Sequence, residues 1–481
     1  MDSNAKKKTE NVSLSAYQDE GEGDVTKLLA FDNIVNGCST DGNMGSIVKV
    51  GYSQIVTPNS ADADPTVDST MVSGLVSGGP VSLFYGFIVA FIGSVSTAAS
   101  LGEMTSMYPT AGGQYHFIAK LAPTGWQYVL SWFTGWIGTF GWVAFTASAP
   151  FLAATMVQGL ITLNVESYIS HRWHGTLIYW ALLLASSGMN IWGTRLMALV
   201  ENASLIIHVV AFAVIFVVMW NNSGWESDGV SWSIGMLSSC YVLAGYDGAI
   251  HLCEEVRTPE ISVPWCMLGS LGINGILGFA FLLAILFCMG DMDAALNSTT
   301  GFPIIEIFHS ITGSSAAATA MTCTLILTAG LATIPLMAST SRMLWCLARD
   351  KVVSAFLVIL GLVNIGSTTA FNAILSLAVF GLHISYLLPV GFMLWRRLCT
   401  PEVLSYGPWR LKGFGVIANT ISVVYLCFTC IFMLFPSYQP VTAMNMNYAS
   451  LIFGAVLIFS LIYWAWKGRK VYKGPIMENS L

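Results

Sequence analysis

The chain has 481 residues; 20 are Lys or Arg and 26 are Asp or Glu, so charged side chains make up 10% against 55% apolar ones. Soluble domains carry roughly 25% charged residues, and a water-soluble fold of this length cannot cover itself with so few. The composition specifies a membrane protein, and a formal net charge of −6 without a basic patch excludes a nucleic-acid partner.

Residues 1–30 hold Lys6, Lys7, Lys8, Lys27 and six acidic side chains. They lack the apolar core of a signal peptide and read as a disordered cytosolic tail. Residues 31–76 form an atypical polar segment, since Asp32, Asp41, Lys49, Asp62, Asp64 and Asp68 would be expensive in lipid. The transmembrane domain occupies 77–466. A turn is expected at Gly78-Gly79-Pro80, just before the first helix. The charge-free runs predict helices near 81–101, 126–150, 176–196, 200–220, 232–251, 265–288, 314–337, 352–364, 369–394, 414–435 and 449–466. The helix at 352–364 is too short to span comfortably. Residues 467–481 read as a second cytoplasmic tail. Runs such as Ile206 to Met219 do not alternate, which excludes the strands of a membrane barrel.

Basic residues fix the orientation. One set of alternate loops carries Lys120, Arg195, Arg257, Arg342, Arg349, Lys351, Arg396, Arg397, Arg410, Lys412, Lys467, Arg469, Lys470 and Lys473; the opposite set carries Arg172 alone. By the positive-inside rule the first set and the carboxyl end are cytoplasmic. Eleven crossings would then put the amino end outside, against its own lysines. A twelfth helix would remove the conflict, but 31–70 supplies none.

Ionisable residues at membrane depth are functional candidates. Asp247 stands between Gly245 and Gly248 in an otherwise apolar run, and glycines permit an interrupted helix whose freed backbone can meet a substrate or ion. Its carboxylate either has a direct role or marks a helix end at the cytoplasmic interface. Tyr241 and Tyr246 either offer ring faces to an ammonium group or pack as ordinary helix residues. Glu201 and His208 could relay protons; capping and packing are the alternative roles. Glu103 is a candidate for coupling or gating and equally for anchoring a loop. Gly135, Gly138 and Gly141, like Gly275 and Gly278, fit close helix approach. Pro335 could kink its helix. Cys427 and Cys430 form a CxxC inside an apolar helix and read as helix filler. No zinc spacing, phosphate-binding loop or catalytic constellation stands out, so neither a cofactor nor an enzyme activity is expected.

Several motifs carry a resemblance. SGGPVSLFYGF at 77–87, LGEMTSMYPTAGGQYHFIAKLAP at 101–123, NIWGTR at 190–195, YDGAIHLCEEVRTPEISVP at 246–264, ASTSRMLWCLARDK at 338–351, NIGSTTAFNAILSL at 364–377, YGPWRL at 406–411 and PVTAMNMNYAS at 440–450 occur in order. Together they resemble the fungal amino acid, choline and GABA permease group of the amino acid–polyamine–organocation transporters. The resemblance implies an all-α polytopic bundle of twelve helices, the first ten forming two inverted repeats, with helices 1 and 6 interrupted at mid-membrane. Family helix 6 maps to 232–251, its unwound part near Leu243 to Asp247. It further implies that 103–121 is the cytoplasmic stretch between helices 2 and 3, and that Glu254 to Pro264 is the loop after helix 6, supporting gating or folding. Two departures are evident: the polar stretch 31–70 replaces family helix 1, and helix 9 is shortened to 352–363, as misjoined or retained gene segments would produce.

The resemblance implies secondary, proton-coupled uptake of an amino acid or small amine, GABA-like or choline-like, at the plasma membrane, with protons and the lipid bilayer as further partners. Asp247 would pair with an ammonium group or support the unwound segment, Gly245 would expose backbone carbonyls, and Tyr241 and Tyr246 would shape the pocket. The alternative is a non-transporting, receptor-like or defective regulatory copy.

Overall fold

A computed structural model describes residues 70–165, 167–193, 236–290, 302–349, 368–435 and 447–475, with Ala295, Ser298 and Thr300. Among them the chain is helical, as a membrane interior demands, because a helix pairs its own backbone polar groups where water cannot. In chain order the helices are α1 (Thr70–Met107), α2 (Gln114–Leu121), α3 (Gln127–Asn164), α4 (Arg172–Trp192) and α5 (Leu237–Val242). A 3₁₀ segment, Tyr246–Glu255, follows. Then come α6 (Pro259–Cys288), α7 (Pro303–Thr312), α8 (Ser315–Arg349), α9 (Thr368–Cys399), α10 (Gly415–Phe432) and α11 (Ala449–Tyr463), the last running through a π turn at Trp464–Gly468 into the short α12 (Arg469–Val471). Seven of the described helices are long and apolar enough to cross a membrane. The protein is a multi-pass membrane protein of the all-α type.

Most expected helices are present, and several run further than their apolar cores. α1 starts at Thr70 and continues through Gly78, Gly79 and Pro80, so no turn interrupts it there. Gly and Pro stop helices readily in water, but at membrane depth neighbouring groups re-satisfy the freed backbone and the helix continues. Its start at Thr70 also precedes the expected domain boundary at 77. α3 runs on to Asn164 through Pro150, and α8 to Arg349 through Pro335. The stretch 103–121, expected between helices 2 and 3, contains α2. The expected helices 200–220 and 352–364, and the polar segment 31–69, lie outside the described residues.

Small residues set the helix crossings. A β-carbon on Gly141 of α3 would lie 3.0 Å from the Leu382 backbone nitrogen, and one on Gly381 of α9 would lie 3.2 Å from Gly141 Cα. On the same face Gly138 meets Met343 of α8. Elsewhere Gly93 of α1 takes the Tyr425 ring of α10, and Gly275 of α6 takes the Phe91 ring of α1. Side chains that let backbones approach are the main means of packing helices in lipid. The glycine stripe read from the sequence is therefore structural.

Several buried hydroxyls are satisfied by their own helix. Thr97 Oγ1 donates to the Gly93 carbonyl at 2.8 Å, Thr105 to Leu101 at 2.9 Å and Thr134 to Leu130 at 2.8 Å. Such back-bonding lets a polar side chain sit in an apolar bundle without an orphaned donor. The CxxC cysteines lie on α10, Cys427 exposed and Cys430 half-buried, as filler positions would.

Candidate functional site

The site forms where one helix stops and restarts. α5 ends at Val242, and Leu243 and Ala244 close it with N–H bonds to the carbonyls of Ser239 and Tyr241, both 3.2 Å. Gly245 then turns left-handed at φ 83° before the 3₁₀ segment begins. Two independent constraints require glycine here: the positive φ, and Phe145 Cε1, which would lie 2.6 Å from any β-carbon. The expected interruption near Leu243 to Asp247 thus falls at Leu243–Gly245, and Gly248 follows with the Trp142 ring 3.1 Å from where its β-carbon would be.

Asp247, two residues past the turn, is 0% exposed. Its carboxylate is held by three uncharged donors from three helices. Gln114 Nε2 of α2 donates to Oδ2 at 2.7 Å, Trp142 Nε1 of α3 donates to the same oxygen at 3.2 Å, and the Tyr386 hydroxyl of α9 donates to Oδ1 at 2.6 Å. Three donors from three helices thus tie Asp247, and with it the restarted segment, to the bundle. Asp247 thus lies in the first turn after the break, enclosed by the bundle.

The two tyrosines flank the break and are both buried. Tyr241 donates its hydroxyl to Ser148 Oγ of α3, and its ring meets Phe145 edge-on at 5.6 Å. Tyr246 lies against the Tyr386 ring, centroids 5.6 Å apart. The structure therefore brings Tyr241, Gly245, Tyr246 and Asp247 into one neighbourhood.

Glu103 is elsewhere. Buried at the end of α1, it pairs with Arg397 of α9 and accepts the Leu411 backbone N–H at 3.1 Å through Oε1. It anchors the stretch containing YGPWRL to the bundle. Arg349 of α8 pairs with Glu254 at 3.2 Å, and Arg342 of α8 forks onto Glu255. Arg396 donates to the carbonyls of Leu121 at 2.8 Å and Ala122 at 3.2 Å, a cation closing the carboxyl end of α2. All these cations stand toward the carboxyl ends of α8 and α9, in the set the sequence assigns to the cytoplasmic side. Glu201 and His208 lie outside the described residues.

Sequence reasoning missed Gln114, Trp142, Tyr386 and His251, which complete the surroundings of Asp247. Only His251, one turn beyond Asp247 on the same segment, could have been found from spacing.

Comparison with known proteins agrees with this architecture. A family model described as amino acid permease matches residues 55–458. The chain is 28% identical over 447 residues to the choline transporter of Saccharomyces cerevisiae, covering 84% of this chain and 78% of that one. It is 26% identical over 457 residues to amino-acid permease 2 of Neurospora crassa, with 86% and 83% covered. To amino-acid permease BAT1 of Arabidopsis thaliana it is 26% identical over 467 residues, with 85% and 89% covered.

Proposed function

The chain belongs to the amino acid permease family, and from that premise we propose that it takes up a small amine or amino acid, choline-like or GABA-like, across the plasma membrane by proton-coupled secondary transport. The observation that carries this reading is the interrupted helix at Leu243–Gly245 with a fully buried carboxylate two residues beyond it. A half-helix end near mid-membrane supplies unpaired backbone dipoles to a bound ligand, and the hydrogen-bond donors to Asp247 among the described residues are neutral. That site attracts a cation. Tyr241 and Tyr246 add ring faces of the kind that accept ammonium groups. The three donors on Asp247 favour its role as support for the unwound segment, its field acting on the ammonium group from behind the pocket.

Alternating access would move the interrupted segment relative to the helices that hold it. The ion pairs Glu254–Arg349 and Glu255–Arg342 fasten the cytoplasmic end of the 3₁₀ segment to α8, and their breaking would accompany opening to that side.

The test is uptake of radiolabelled choline and GABA by cells lacking their own carriers for both. Saturable accumulation of one of them, abolished by a protonophore, is the expected result. No uptake of either by protein present at the cell surface would favour the non-transporting, receptor-like alternative.

A further inference from the structure

His251 takes no part in the reading above, yet one of its ring nitrogens, close to the Asp247 carboxylate, has no hydrogen-bond partner among the described residues. Its side chain is 0% exposed. Nδ1 lies 2.8 Å from the Ala111 carbonyl, and because a carbonyl only accepts, Nδ1 carries a hydrogen. Nε2 lies 3.7 Å from Asp247 Oδ2 and has no hydrogen-bond partner among the described residues. A buried nitrogen in that state bears a desolvation cost with nothing to offset it. A second proton would turn it into a donor facing a carboxylate.

From this geometry we infer that His251 Nε2, with Asp247 as its counter-charge, is the binding site of the coupling proton. The inference rests on the proton-coupled reading and assigns its residue. Loading forms one N–H bond at Nε2, with the proton drawn from water on the non-cytoplasmic side, and turns a pair of net charge −1 into a neutral imidazolium–carboxylate pair. Unloading breaks that bond and delivers the proton to cytoplasmic water, restoring the neutral ring. The new N–H competes for Asp247 Oδ2 with Gln114 and Trp142, the donors that tie the interrupted segment to α2 and α3. Loading thereby reaches the element that must move.

The groups around the pair leave this role to His251. From α2 and the turn before it come the Gly113 backbone and the Gln114 amide. From α3 comes the Trp142 ring, edge-on to the imidazole at 5.3 Å. From α9 comes the Tyr386 hydroxyl, already donated to Asp247. Two other histidines nearby are engaged through Nδ1, His116 with Thr110 at 2.9 Å and His383 with Thr429 at 3.0 Å. Glu254 and Glu255 on the same segment are paired with Arg349 and Arg342 of α8, and Cys253 and Cys346 are buried thiols.

The experiment uses full-length protein in lipid nanodiscs, labelled with ¹³C-histidine, and infrared difference spectra between acid and neutral pH. His251→Asn is the variant, because its amide can still donate to the Ala111 carbonyl; thermal unfolding in the same nanodiscs shows whether it folds. The expected result is an imidazolium band in the wild-type spectrum that is missing from the His251→Asn spectrum and shifted in that of Asp247→Asn. In uptake assays the wild type should depend on external pH while His251→Asn loses that dependence. Identical histidine bands in wild type and His251→Asn would overturn the assignment. If uptake by the wild type ignores the proton gradient, the coupled reading itself fails, a result distinct from a wild type that is coupled and a His251→Asn variant that is coupled equally.

Discussion

Two regions of the bundle handle carboxylates in opposite ways. At the end assigned to the cytoplasm by its basic residues, Glu103 meets Arg397 and Glu254 meets Arg349, so each carboxylate is paired with a cation fixed in the protein. At the helix break, Asp247 meets an amide, an indole and a phenol. Neutral donors satisfy its lone pairs and bring no counter-charge. The first arrangement fastens helices together, and a mobile ligand could only weaken it. On the proposed reading, the second keeps its charge available to a substrate ammonium or a proton. A carrier needs both kinds: anchors that stay closed until opening, and one site whose electrostatics are completed from outside.

The sharpest way to break this contrast is at an anchor. Glu103→Ala leaves the Arg397 guanidinium without its buried carboxylate and the Leu411 N–H without its acceptor. The expected loss is about 3–5 kcal/mol of stability, read as a lowered thermal midpoint in detergent. A midpoint unchanged from wild type would show that the pair does not anchor.

Gly245→Ala tests the break itself. Positive-φ strain and the overlap with Phe145 together predict a loss of about 2–4 kcal/mol. Combined with Phe145→Ala, which removes the overlap but not the strain, part of that loss should return. Failure of the second change to restore anything would mean that Phe145 does not press on the turn.

Smaller effects separate the two modes of satisfaction. Tyr386→Phe keeps the ring against Tyr246 and removes one of the three donors to Asp247, for an expected cost of about 1.5–3 kcal/mol. Thermal unfolding of purified protein measures it. Glu255→Gln, at the partly exposed pair with Arg342, should cost only about 0.2–1 kcal/mol. A larger effect at Glu255 than at Tyr386 would invert the ranking of the two regions.

Much of this was legible in the sequence, for identifiable reasons. Asp247 between two glycines in an apolar run marks an interruption, because glycine and a carboxylate are both costly in a lipid-facing helix unless they have a local use. Helix positions followed from charge-free runs, since spanning segments announce themselves by composition. The partners of Asp247 did not, as Gln114, Trp142 and Tyr386 stand 133, 105 and 139 residues away along the chain. Nothing local distinguishes Tyr386 from other aromatic residues of its helix. The helix running through Gly78-Gly79-Pro80 was misread because the turn rule describes chains in water. The partner of Glu103, Arg397, was equally hidden, since it lies 294 residues away along the chain.

The most direct test of the account is radiolabelled choline and GABA uptake by Asp247→Asn beside wild type at matched surface abundance. Asparagine keeps the shape and can still accept from Tyr386 or Gln114, but it carries no charge. If an uncancelled buried charge drives binding, uptake should fall roughly 10–100-fold, the equivalent of about 1.5–3 kcal/mol. Uptake equal to wild type in Asp247→Asn, with the proton dependence intact, would contradict it.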